Sequence, residues 1–216
     1  MIEPALAGTY GEPPSGYRLP DATRLGPVRL QVADLSRSLE WYQRVLGFRI
    51  AGRGAGSALL AAQDDRVLVE LRERAGAVPA RKRGRLGLYH YAILLPDRAA
   101  LGRFVGHLGE LGVSAGAGDH LVSEAFYLYD PDGLGIEVYA DRPRETWRRS
   151  GRELVMTTDP VDVNELVRAA GDAPWSGMPA GTIMGHVHLH VGTIPEAAAF
   201  YADAVGFDVT TAAYPG

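Results

Sequence analysis

The chain has 216 residues, of which 46% are hydrophobic and 22% charged, an ordinary composition for one large or two small soluble domains. A net charge of −4 and a pI of about 5.9 argue against nucleic acid as the main partner, and the lack of Cys excludes disulfides and thiolate chemistry. No apolar run approaches the roughly 18 residues of a membrane span. The N-terminus lacks the pattern of a signal peptide, so we expect a cytoplasmic protein that does not contact membranes.

The N-terminal part divides into an arm and a first module. Residues 1–25 are rich in Gly and Pro and lack hydrophobic periodicity, which predicts an extended arm. Residues 26–73 predict a βαβββ module. Its first strand alternates over 28–32, and a run of apolar residues at helical spacing follows, with Asp34 as the N-cap and Gly47 at the end. Three more strands are predicted, starting at 48 and covering 57–62 and 66–71.

A second module follows a linker. Residues 74–85 contain Gly, Pro and a cluster of basic residues, which is typical of a solvated linker. The βαβββ pattern then recurs over residues 86–141. Its first strand is predicted over 89–95, Asp97 precedes the helix, and Gly112 is expected to resume the sheet.

The rest of the chain predicts a connection and a partial third module. Residues 142–182 are polar and punctuated by Pro. We expect one short helix there, with Asp159 as N-cap and Pro160 as the first helical residue. The third module is predicted over residues 183–216.

The repeat can be read directly from the sequence. Residues 32–48 and 191–207 have the same length and share Val32/Val191, Tyr42/Tyr201, Gly47/Gly206 and Phe48/Phe207. The third module lacks half of the strands that the first two contain. We therefore expect a chain truncated at its C-terminal end, inactive and marginally soluble by itself, because its third helix has too little sheet to bury against.

Residues 118–137 carry the most specific chemical pattern in the chain. They predict two strands joined by a turn, in which Pro131 presets φ and Gly133 accepts a positive φ. In the second strand Glu137 faces away from its apolar neighbours Ile136 and Val138. A carboxylate in the middle of a short apolar strand is costly unless it is paired, hydrogen-bonded or bound to a metal.

This stretch resembles the signature of the extradiol ring-cleavage dioxygenases, within the vicinal oxygen chelate superfamily of glyoxalases, bleomycin-resistance proteins and dioxygenases. The residues that carry the resemblance are Gly118, His120, Phe126, Tyr127, Asp130, Pro131, Gly133 and Glu137. The stretch covers 20 of 216 residues. The turn and Glu137 are shared across the superfamily, whereas His120 and Tyr127 favour the dioxygenases.

The resemblance implies an α+β fold in which repeated βαβββ modules form an open, incomplete β-barrel. It implies a catechol 2,3-dioxygenase type of activity, in aromatic hydrocarbon catabolism, that adds O2 to a small aromatic diol at a non-haem Fe(II). His120 and Tyr127 would then contact the substrate, and Glu137 would bind the iron. The resemblance is compatible with a homo-oligomer and with a monomer.

The repeat suggests which residues complete the metal site. The superfamily places a ligand seven residues before each helix start, where this chain has Pro27, His90 and His186. The fourth strands offer Glu70 and Glu137. The set His90, Glu137 and His186 suits Fe(II), with Mn, Zn or Ni as alternatives. This set requires the second and third modules to share a cavity.

A competing set stays open at this point. Glu70, His90 and Glu137 would come from the first two modules and would resemble a glyoxalase site that has lost one ligand to Pro27. The corresponding alternative functions are a glyoxalase-like lyase or isomerase with a Lewis-acid metal, and a non-enzymatic binding protein resembling the bleomycin-resistance proteins.

Overall fold

The computed structural model describes residues 1–79, 86–212 and 214, and its strands form three open sheets. The sheets have five, four and three strands, and none of them closes on itself among these residues. Half of the predicted linker at 74–85, residues 80–85, lies outside the described residues. No helix in the described part is long and apolar enough to cross a membrane.

The first module forms the four-stranded sheet. Its elements are β2 (Val28–Val32), α1 (Leu35–Leu46), β3 (Arg49–Gly54), β4 (Ser57–Ala61) and β5 (Val67–Glu73). The strand order is β2-β5-β4-β3, with β2 parallel to β5. Asp34 caps α1 by accepting a hydrogen bond from the Arg37 N–H, and Gly47 ends it at φ 71°, as predicted.

The second module repeats this order inside the five-stranded sheet. Its elements are β6 (Gly87–Leu94), α2 (Arg98–Glu110), β7 (Gly116–Asp119), β8 (Ser123–Tyr129) and β9 (Gly135–Asp141). Asp97 caps α2 through the Ala100 N–H. The prediction that Gly112 resumes the sheet is wrong, because Gly112 lies in a turn at φ 65° and β7 begins at Gly116.

The third module contributes the fifth strand of that sheet. β12 (Ile183–His190) pairs antiparallel with β6, giving the strand order β12-β6-β9-β8-β7. Thr193 then precedes α4 (Ile194–Ala198), which continues as a π-helical turn over Ala199–Val205. The second and third modules therefore share one sheet, in which their first strands, β6 and β12, are neighbours.

The N-terminal arm and the predicted connection form the three-stranded sheet. Its strands are β1 (Ile2–Pro4), β10 (Arg148–Ser150) and β11 (Glu153–Leu154), and a 3-10 turn covers Arg144–Thr146. The short helix α3 (Val163–Ala169) is present, but its N-cap is Asp162 rather than Asp159. The reason is that Asp159 pairs its backbone N–H and C=O with Asp119, which keeps this residue extended.

One apolar core joins the first two modules. Its largest fully buried side chains include Tyr42 and Leu46 of α1, Tyr91 of β6 and Phe104 of α2. Ile136 and Val138 of β9 belong to the same core, so alternation along the strand turns Glu137 towards the opposite face of the sheet. That opposite face carries the candidate site.

The contact between α2 and α3 leaves no room for a side chain at Gly102. A Cβ atom there would lie 2.4 Å from the Leu166 carbonyl oxygen and 2.8 Å from the Ala170 Cβ. We expect Gly102→Ala to lower the free energy of unfolding by roughly 1–3 kcal/mol, as overpacking does. Gly106→Ala is the matched control in the same helix, because a Cβ there meets nothing within 4 Å. The control should gain roughly 0.5–1 kcal/mol. Denaturant unfolding of both variants checks this, and a stable Gly102→Ala would contradict the packing.

Candidate metal centre and substrate cavity

Three neighbouring strands bring His90, Glu137 and His186 together. His90 and Ala92 are two residues apart in β6, so their side chains share one face. Glu137 lies beside Ala92 in β9, and His186 lies beside Ala92 in β12. Because Ala92 is small and fully buried, the three longer side chains can converge above it. The site therefore follows from strand order and register.

The three side chains offer one compact set of ligand atoms. Nε2 of His90 lies 3.0 Å from Oε2 of Glu137, and Nε2 of His186 lies 3.1 Å from the same oxygen. One ligand atom of each residue lies within 4.8 Å of the others. Two imidazoles and one carboxylate on one face form the donor set that suits Fe(II) and similar transition metals.

The hydrogen-bonding pattern also fits a cation at this position. Nε2 of His90 is buried and has no hydrogen-bond partner of acceptable geometry in the described part of the chain, although Glu137 lies close by. A buried polar group without a partner costs about 1–3 kcal/mol. Both imidazoles instead direct Nε2 at one carboxylate oxygen, an arrangement that a shared cation would satisfy. The residues present thus fit a divalent metal ion.

The charge of Glu137 is maintained by its neighbours. Burial by itself would raise the pKa of this carboxyl group, but the hydrogen bond from His186 and the close approach of His90 outweigh burial and lower its pKa to about 2. Glu137 is therefore a carboxylate at neutral pH, the form that can bind a metal.

A second pair of polar side chains stands beside this cluster. Tyr127 in β8 is the direct cross-strand partner of Glu137 in β9. Its hydroxyl oxygen lies 2.7 Å from Nε2 of His120, whose Nδ1 lies 2.7 Å from the Thr157 carbonyl oxygen. Since a carbonyl only accepts, neutral His120 carries its proton on Nδ1, and Nε2 accepts from the Tyr127 hydroxyl.

The cluster and this pair line a cavity of about 520 Å³. Further lining residues that the sequence did not single out for the site include Tyr89, Ser123, Met156, Thr158 and Tyr214. The hydroxyl of Tyr214 lies 3.2 Å from Nδ1 of His120 and also contacts Thr158 Oγ1. His188, which shares its strand face with His186, also lines the cavity. Of these additional lining residues, only His188 could have been found from the sequence. His186, His188 and His190 alternate along the chain, which predicts that they share one face of a strand.

The competing set that includes Glu70 is not assembled. Glu70 lies in the separate four-stranded sheet, where Arg29 and Arg72 approach its carboxylate at 2.8 and 2.6 Å. The hydrogen bond from Arg72, against the effect of burial, lowers the pKa of Glu70. In the described residues Glu70 belongs to no group of metal-ligating side chains. Its role in the structure is an ion pair within the first module.

Comparison with known proteins identifies the class. Residues 24–138 match the Glyoxalase/Bleomycin resistance protein/Dioxygenase superfamily, and the chain belongs to that family, the vicinal oxygen chelate superfamily, as predicted. Over 188 residues the chain is 49% identical to a protein named "Catechol-2,3-dioxygenase" from Bacillus subtilis (strain 168). The match covers 87% of this chain and 66% of that relative, so the chain spans slightly less than two thirds of its length.

Solved structures give more distant likenesses. A glyoxalase/dioxygenase from Nostoc punctiforme is 20% identical, with a TM-score of 0.48 over 60% of this chain and 99% of that one. A glyoxylase/bleomycin resistance protein/dioxygenase domain from Frankia sp. EAN1pec is 21% identical, with a TM-score of 0.47 over 56% of this chain and all (100%) of that one.

Proposed function

We propose that the protein is an extradiol ring-cleavage dioxygenase of the catechol 2,3-dioxygenase type. The observation that carries this proposal is the convergence of His90, Glu137 and His186 directly beside the hydrogen-bonded pair His120 and Tyr127. The relative named catechol-2,3-dioxygenase supports the same reaction. In that reaction the ring bond next to the diol breaks, and both atoms of O2 enter the product.

His90, Glu137 and His186 would hold Fe(II) in this proposal. Bound Fe(II) would supply a redox-active centre with open positions for a chelating diol and for O2. The two imidazoles are neutral ligands and Glu137 brings one negative charge. The protein therefore leaves the site one net positive charge, which a catecholate substrate can balance.

His120 and Tyr127 would act as a proton acceptor and a hydrogen-bond donor next to that centre. When a catechol hydroxyl replaces the Tyr127 hydroxyl at Nε2, His120 can take a proton there, while the Thr157 carbonyl accepts from Nδ1–H and stabilises the imidazolium that forms. Burial, and after it the charge of Glu137, raises the pKa of Tyr127 well above its usual value. Tyr127 therefore stays protonated and can donate its O–H to a substrate oxygen.

The cavity favours diols without a charged substituent. Of the described residues that line it, none is Lys or Arg, whereas the side chains of Tyr89 and Met156 provide apolar surface. A carboxylate on the substrate ring would lose water there without gaining a cationic side chain. We expect kcat/KM for 4-methylcatechol to exceed that for protocatechuate, a diol of similar size, by roughly tenfold or more. Absorbance of the ring-opened products measures both rates. A preference for the carboxylated diol would contradict this description of the cavity.

Oxygen uptake separates the proposed reaction from its alternatives. The full-length protein, loaded anaerobically with Fe(II), should consume one O2 for each catechol and form the yellow ring-opened product. Turnover of a glyoxalase substrate with Zn(II) or Ni(II), without O2 uptake, would instead indicate a glyoxalase-like enzyme. Ligand binding without metal and without turnover would indicate a binding protein.

A further inference from the structure

A buried hydrogen-bonded chain links the first module to the second. The Tyr91 hydroxyl donates to the Tyr42 hydroxyl at 3.1 Å, and Tyr42 donates to Oδ2 of Asp130 at 3.2 Å. Tyr42 and Tyr91 are fully buried and Asp130 is nearly so. Tyr42 comes from α1 of the first module, whereas its two partners lie in the second module.

The same contact holds the turn between β8 and β9. Oδ1 of Asp130 accepts hydrogen bonds from the backbone N–H groups of Asp132 and Leu134 at 2.9 and 2.8 Å. Asp132 in turn accepts from the Ala33 N–H at 2.9 Å and forms an ion pair with Arg37. The first module therefore contacts the turn through three residues, Ala33, Arg37 and Tyr42.

The two strands that leave this turn carry site residues. Tyr127 and Glu137 are cross-strand partners in the hairpin that the turn closes. Tyr91 directly follows His90 in β6 and lies beside Ile136 of β9. The buried chain therefore contacts the hairpin at its closed end and β6 at the residue after His90. A shift of the turn would move Glu137 and Tyr127 relative to His90.

The first module has no metal cluster of its own in the described residues. It has Pro27 at the position equivalent to His90, and its Glu70 is held by arginines. We propose that this module serves the site next to it, and that Tyr42 is a positioning residue that fixes His90 and Glu137 at the spacing a metal requires. The inference rests on the proposed metal centre, but not on the reaction that the centre catalyses.

Tyr42→Phe tests this inference because it removes only the hydroxyl. The control is Val45→Ala, in the same helix, at a fully buried position that makes no side-chain hydrogen bond. Co(II) serves as the probe. Its dissociation constant is measured by anaerobic competition with a chelator, and its visible spectrum reports the ligand geometry. Catechol turnover is measured separately at saturating Fe(II), together with the melting temperature of each variant.

We expect Tyr42→Phe to weaken Co(II) binding by roughly tenfold, the lower end of the 10–100-fold loss seen for partners that orient ligands. Its Co(II) spectrum should change, and kcat should fall with KM unchanged. Val45→Ala should lower the melting temperature while Co(II) affinity, spectrum and kcat per folded protein stay at the wild-type values. A Tyr42→Phe variant that is less stable but binds Co(II) within twofold of the wild type would overturn the inference.

A surface variant covers the case in which Tyr42→Phe does not fold. The side chain of Arg37 is about half exposed and contacts the turn through Asp132, so Arg37→Ala should fold and weaken Co(II) binding by roughly threefold or more. Unchanged Co(II) affinity in this variant would also overturn the inference. Failure of the proposed function looks different, since wild-type protein would then bind metal without cleaving catechol.

Discussion

His186→Ala is expected to lose Fe(II) at concentrations that saturate the wild type, while Glu70→Ala keeps full occupancy. In the proposed site His186 supplies one of three protein ligands, and losing a ligand weakens binding by far more than the roughly 10–100-fold that follows loss of a partner that only orients one. The side chain of His186 is 43% exposed, so its removal should leave the fold intact. Glu70 provides the control, because its carboxylate pairs with Arg29 and Arg72 instead of facing the cavity.

Iron content after anaerobic loading and gel filtration measures this prediction. The wild type and Glu70→Ala should retain about one Fe(II) per chain under conditions in which His186→Ala retains almost none. Thermal unfolding without metal establishes that all three proteins are folded. The opposite result, iron retained by His186→Ala and lost by Glu70→Ala, would show that the second and third modules do not form the metal site.

His120→Ala and Tyr127→Phe are expected to slow ring opening at unchanged iron content. Neither residue belongs to the group of three candidate metal ligands, yet both line the cavity beside that group. A positioned acid–base group typically contributes roughly 10²–10⁴-fold to the rate, and we expect a loss in that range. Because Tyr127 donates to His120, the double variant should lose less than the product of the two single effects.

Steady-state catechol cleavage by the full-length protein at matched iron occupancy tests these variants. Tyr17→Phe is a suitable control, because this exposed tyrosine of the N-terminal arm does not line the cavity and should retain the wild-type rate. If His120 and Tyr127 only stabilise the fold, their variants will unfold more easily and keep wild-type turnover per folded, iron-loaded chain. That outcome would reduce the proposal to a metal-binding protein of this superfamily with another reaction.

Local sequence rules predicted much of the modular fold. Asp34 and Asp97 are the N-caps of the first two repeated helices, as predicted, and Thr193 is the N-cap of the third. Gly133 takes φ 81° in the predicted turn. Cap and turn residues determine backbone geometry within a few positions, so a single sequence is sufficient to locate them.

Longer-range pairing was not available from the sequence. Nothing within β12 specifies that it lies beside β6 rather than beside a strand of the first module, which is why two ligand sets stayed open. The short strands β10 and β11 lack enough residues for alternation to be visible. Asp159 and Asp162 are equally good caps locally, and only the distant pairing with Asp119 decides between them.

In the candidate site, too, some features could be predicted from the sequence and others depend on long-range contacts. His90, Glu137 and His186 could be proposed because their positions repeat along the chain. The Thr157 carbonyl that orients His120 could not, because a backbone oxygen has no residue-specific signal. Tyr42 has a counterpart in Tyr201, but the repeat does not reveal that Tyr42 reaches Asp130 of the next module.

Anaerobic Fe(II) titration followed by addition of catechol and O2 tests the central claim most directly. We predict that the full-length wild-type protein binds one Fe(II) per chain, consumes one O2 per catechol and forms the yellow ring-opened product. We also predict that Glu137→Gln in the same protein, treated identically, neither retains the iron nor forms the product. Ring opening by Glu137→Gln at the wild-type rate, or a wild-type protein that binds no Fe(II), would contradict these predictions.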